Sequence, residues 1–120
     1  MKTKVFALLS LATLLFFASC SKDNNEPKFA FANNVTEGQA NASGEYTITG
    51  TLTSEVNLDK VTLTKEGQNN PFFIDESEAK NKNTYSFVYP VTGINSDTYI
   101  ILDAYDQDGG KTTAKFLIRK

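Results

Sequence analysis

The residues of this chain that could do chemistry are few, and most are carboxylates. There is no His and no Trp, and Cys20 is the only cysteine. A disulfide within the chain, the usual Cys/His zinc site and any His-based triad are thereby excluded. Asp103, Asp106 and Asp108 lead into Gly109-Gly110. Several oxygens on a tight turn are what a calcium ion wants, but calcium-loop spacing also asks for an oxygen at Ala104, whose side chain has none. Asp and Gly close hairpin turns equally well, through side-chain-to-backbone bonds and left-handed conformers. The sequence favours the turn, so no metal site is expected and the three aspartates remain lesser candidates.

Asp75, Glu76 and Glu78 could supply the paired carboxylates of glycoside hydrolysis. They lie in a short polar stretch with nothing around it to shift a catalytic pKa. The expectation is therefore a protein that is not an enzyme and needs no cofactor, with a small hydrolase as the remote alternative. Phe72-Phe73 follows Pro71 in polar surroundings. Neighbouring strand residues point to opposite sides, so one ring is expected to plug the edge of the fold and the other to meet solvent. An exposed ring could stack on a sugar or on a protein partner. Tyr89 and Tyr105 are lesser candidates of the same kind.

The elements that must position these groups begin after a leader. Met1–Cys20 holds 14 of the chain's 48 hydrophobic residues. Lys2 and Lys4 precede a mostly apolar stretch, Val5–Ala18, broken only by Ser10 and Thr13. A membrane-spanning helix needs about 20 apolar residues, so this shorter stretch reads as a signal peptide over residues 1–19. Ser21–Lys28 (SKDNNEPK) has no apolar side chain except the Pro27 ring and is expected to be a flexible tether. Without the leader the chain carries a net charge of −4 and no basic run beyond Arg119-Lys120. Nucleic-acid binding is not expected from such a surface.

From Phe29 onward apolar residues recur with period 2, the strand signature. Tyr46, Ile48 and Leu52 alternate with Thr47, Thr49, Thr51 and Thr53. Val61 and Leu63 alternate with Thr62 and Thr64, and Tyr85, Phe87, Tyr89 and Val91 share one face. Residues 72–74, 98–106 and 111–119 complete about seven strands, separated by turns at Ser43-Gly44, Glu66–Pro71, Thr92–Asn95 and Asp108–Gly110. Ser77–Asn83 is a loop or a single helical turn. Seven short strands bury their apolar faces best by packing two sheets together, so residues 29–120 are expected to form an all-β sandwich.

Two resemblances add to this reading. Phe17-Ala18-Ser19-Cys20 resembles the lipobox of bacterial lipoproteins, with Phe17 where that family usually has Leu. The resemblance implies cleavage before Cys20 and attachment of acyl chains to it, hence a membrane anchor that does not span. Cys20-Ser21-Lys22-Asp23 with Glu26 looks like the export signal of lipoproteins facing outward from the outer membrane. Gly50–Ser54 with Leu58–Val61, and Tyr99–Asp106 running to Gly109, look like the B, C and F strands of bacterial immunoglobulin-like domains. That implies an immunoglobulin-like sandwich, with Tyr99 as a tyrosine corner. Tyr99 and Ala104 usually share a face in the family; five residues apart, they should not, unless a bulge intervenes or both faces of the strand are buried. Together these imply a lipid-anchored, surface-exposed binding module that engages a protein partner in an outer-membrane assembly. Direct glycan binding through exposed aromatics is the alternative.

Overall fold

The computed structural model describes residues 26–120. The leader, Cys20 and the start of the tether lie outside the described residues. Eight strands follow one another: β1 (Lys28–Phe31), β2 (Glu37–Gln39), β3 (Tyr46–Thr53), β4 (Leu58–Lys65), β5 (Phe73–Asp75), β6 (Thr84–Val91), β7 (Thr98–Asp106) and β8 (Lys111–Arg119). They form a three-stranded sheet, β1-β3-β6, and a five-stranded sheet, β2-β8-β7-β4-β5. The fold is therefore the β-sandwich expected from the alternation, in the immunoglobulin-like form that the resemblance implies. Every pair is antiparallel except β2 with β8.

The alternating positions meet between the sheets. Ile48, Leu52, Leu58, Val61, Leu63, Phe87, Ile100, Leu102, Phe116 and Ile118 are all buried. Fully burying one such side chain is worth about 1.5–3 kcal/mol. Phe87 is the hub of an aromatic cluster: Phe29 and Phe31 meet its ring edge-on at 6.1 Å each, and Tyr89 stacks on it at 5.1 Å. Gly50 makes room for that ring. A Cβ at this position would lie 2.7 Å from Phe87 Cζ and 2.6 Å from the Ala30 carbonyl oxygen.

Four details differ from the pattern read in the sequence, each for a physical reason. Pro27 is buried and Lys28 already pairs with Thr53, so strand β1 starts one residue ahead of Phe29. Strand β4 starts at Leu58 because a bulge lies between Leu58 and Lys60. The extra residue turns Leu58 inward together with Val61, which strict alternation forbids. Strand β2 adds an eighth strand whose Glu37-Gly38-Gln39 shows no apolar alternation. It packs because Tyr46 lies over Gly38, where a Cβ would come within 2.3 Å of the ring. In β7 the register with β8 is unbroken, so Ala104 points inward and Tyr99 outward, 43% exposed. The Tyr99 ring lies under the Lys115 ammonium, 5.5 Å from its centroid, and does not form the expected corner.

Candidate interaction site

Strand β5 is only three residues long and forms one edge of the five-stranded sheet. It is held from both sides. Phe73 and Asp75 pair with Leu63 and Val61 of β4. Across the sandwich, the Asp75 carboxylate reaches β6: Oδ2 accepts the hydroxyl protons of Tyr85 and Tyr89, both at 2.8 Å. Oδ1 accepts the backbone N–H groups of Glu78 and Ala79, at 3.0 and 3.2 Å. Asp75 is only 4% exposed, and these four donors satisfy its charge without a cation. One side chain thus ties the two sheets together and closes the loop that follows β5.

The phenols feel this arrangement. Burial, the hydrogen bond to Asp75 and its negative charge push Tyr85 from its ordinary 10.0 up to about 12. Tyr89 is deeper, and the same causes in the same order raise it further. Asp75 is buried whereas Glu76 and Glu78 are exposed, so the three carboxylates of this loop do not share an environment.

Phe72 and Phe73 come out half-exposed together, at 40% and 43%. The expectation of one plug and one free ring holds only halfway. Phe73 packs on Tyr89 with centroids 5.5 Å apart, yet much of it still faces solvent. Phe72 stands beside Lys65, whose ammonium lies 5.7 Å from the ring centroid and also donates to the Thr92 carbonyl at 3.1 Å. Ile74, next in line, is 51% exposed and faces outward beside Thr62. The sequence reading missed Ile74, because a lone Ile at an edge strand looks like core by composition. Phe72, Phe73 and Ile74 therefore form one exposed apolar run on a free sheet edge. The run lies toward the end of the sandwich that holds Lys65 and Thr92; the chain enters β1 at the other end, beside Thr53.

The remaining candidates separate. Tyr89 is buried, 2% exposed, and Tyr105 faces outward on β7. Asp106 points inward and Oδ1 accepts the N–H groups of Asp108 and Gly110, at 2.9 and 2.7 Å, closing the β7–β8 turn. Asp103 lies on the opposite face of β7 and accepts the Thr113 hydroxyl proton. Among the described residues no group of three or more His, Cys, Asp or Glu is placed to hold a metal ion. No helix among them is long and apolar enough to cross a membrane.

No protein-family model matches the chain, and no curated protein matches it. Among solved structures, the fibronectin(III)-like modules of Clostridium thermocellum CbhA are similar, with a TM-score of 0.51 at 15% identity. The match covers 78% of this chain and 46% of that chain. At such identity the likeness concerns architecture alone. The chain is similar in fold to a fibronectin(III)-like, immunoglobulin-like sandwich.

Proposed function

We propose that this chain is a lipid-anchored, non-catalytic interaction module displayed from the outer membrane, and that the β5 edge is where it meets a protein partner. The observation that carries the reading is the consecutive exposure of Phe72, just ahead of the edge strand β5, and of Phe73 and Ile74 on it. Exposed apolar runs of this kind mark interaction surfaces, and an edge strand adds unpaired backbone groups that a partner strand can use. The lipobox-like Phe17–Cys20 supports the anchor. The position of the run, at the end away from Lys28, then turns it away from the tether.

A protein partner fits better than a glycan at this edge. A sugar stacks on a broad free ring face, whereas Phe73 is partly covered by Tyr89 and Phe72 lies beside the Lys65 ammonium. The test has two arms. Phe72→Ala/Phe73→Ala is expected to abolish co-purification of a partner from detergent-solubilised membranes, while migration through polysaccharide-containing native gels is the same for both proteins. Unchanged co-purification, or retardation by a polysaccharide that the double variant loses, overturns the protein-partner reading. For the anchor, Cys20→Ser is expected to abolish acyl labelling; persistent labelling contradicts it.

A further inference from the structure

Strand β6 is the long free edge of the molecule. It ends the three-stranded sheet, runs for 8 residues and pairs only with β3 among the described residues. The other edge strands, β1, β2 and β5, have 4, 3 and 3 residues. Just before β6, the Ser54 N–H donates to the Asn83 carbonyl at 2.8 Å. Bonded positions alternate along an antiparallel pair, so Tyr85, Phe87, Tyr89 and Val91 turn their backbone groups toward β3. Thr84, Ser86 and Val88 then turn theirs, N–H and C=O alike, to the open side. Pro90 falls in the same class, and its missing N–H is on the side where no strand needs it.

Native edges are usually guarded by charge. Strand β1 opens with Lys28, and Glu37 of β2 is bound by Arg119 at 3.2 Å. Residues 84–91 hold no charged side chain, although the chain without its leader carries a net charge of −4. The outer face beside the edge is equally neutral: Thr47, Thr49, Thr51 and Thr53 lie opposite Pro90, Val88, Ser86 and Thr84. Val88, 63% exposed, is the most exposed large hydrophobic among the described residues. Two copies of an acidic chain repel over much of their surface, but along this strip they bring no like charges together.

We propose that β6 is a self-association edge, pairing antiparallel with β6 of a second copy. About a two-fold axis at Phe87, Ser86 of one copy meets Val88 of the other. Each donates its N–H to the other's carbonyl, and the Thr84 N–H reaches the Pro90 carbonyl. Pro90 cannot return that bond, so the pairing stops there. The contact is isologous and closes at two copies, because it uses the same strand from each. It joins the three-stranded sheets, whereas β5 belongs to the other sheet. The partner proposed for the Phe72–Ile74 edge is a different molecule.

The test is sedimentation equilibrium of the full chain in density-matched detergent micelles at about 0.15 M salt. A particle holding two chains is expected to appear as protein concentration rises. Val88→Lys sets a charge on the edge of each copy, on a side chain already in water, and is expected to weaken dimerisation by about ten-fold or more. Ser86→Pro removes the Ser86 N–H from both copies without changing charge, and is expected to weaken it similarly. Thr49→Lys puts the same charge one strand further in and is expected to leave the dimer intact. Amide spectra of each variant verify that the fold persists. A chain that stays monomeric up to about 1 mM overturns the proposal. So does a dimer unchanged by Val88→Lys or by Ser86→Pro, or one lost equally in Thr49→Lys. A dimer lost in Phe72→Ala/Phe73→Ala but kept in Val88→Lys overturns it too, and assigns self-association to the β5 edge.

Discussion

Two regions of this molecule are each organised by a buried aspartate, and they are organised differently. Asp75 is 4% exposed and Asp106 is 5% exposed. Asp106 spends its carboxylate on two N–H groups within four residues of itself, so it closes its own turn. Asp75 also caps a following loop, but its second oxygen crosses to Tyr85 and Tyr89, 10 and 14 residues away on the other sheet. The first is a local device and the second a tertiary one. The exposed run Phe72–Ile74 is attached to the second, so the edge offered to a partner is held in place by a bond between sheets.

Substitutions can break this comparison, and the largest effect is expected at Asp75. Asp75→Ala leaves two tyrosine hydroxyls and two backbone N–H groups without their acceptor. It is expected to lower stability by about 3 kcal/mol, read from the urea midpoint. Asp106→Ala loses turn contacts that water can replace at an exposed hairpin, and about 1–2 kcal/mol is expected. An equal loss at the two sites would mean that the bond between sheets adds nothing. A double-mutant cycle on Asp75→Ala and Tyr89→Phe sharpens the point, with a coupling of about 1 kcal/mol expected and none for Asp106→Ala with Tyr89→Phe.

The alkaline limb separates the two regions without touching either aspartate. Tyr85 keeps its proton up to about pH 12 in the folded chain, whereas an unfolded tyrosine loses it near 10.0. Tyr89 is raised in the same direction. A raised folded-state pKa contributes stability that is fully present below pH 10 and is lost as pH climbs through the folded value. Denaturant midpoints are expected to fall between pH 10 and 12, and to fall less in Tyr85→Phe/Tyr89→Phe. A fall of the same size in that variant contradicts the network. The smallest effect is expected at the edge itself: Phe72→Ala changes stability by less than about 1 kcal/mol, because the ring is already half in water.

The same contrast explains what could be read from the sequence. The Asp106 turn was legible because Asp-x-Asp-Gly-Gly contains its own partners. The longer strands were legible because period 2 is local, as in Tyr46–Thr53 and Thr84–Val91. Asp75 was not, since nothing nearby names Tyr85 and Tyr89 as its partners; next to Glu76 it looked like half of a carboxylate pair. Strand β2 was invisible because its stability comes from Tyr46 lying over Gly38 and from pairing with Leu117–Arg119. Leu58 falls outside the alternation because a bulge shifts its phase, and only the resemblance to strand C reaches it. At the candidate edge, Phe72-Phe73 could be picked out by the oddity of two aromatics beside Pro71. The joint exposure of both rings with Ile74 depends on how β5 ends its sheet.

The central claim, that the β5 edge is the contact surface, is tested most directly by a photo-crosslinking residue placed at Phe72 in living cells. Val88 is the matched control, an apolar residue 63% exposed on the three-stranded sheet. The account predicts a discrete crosslinked species from position 72 that is absent from position 88. The same adduct from both positions, or from neither, would contradict it.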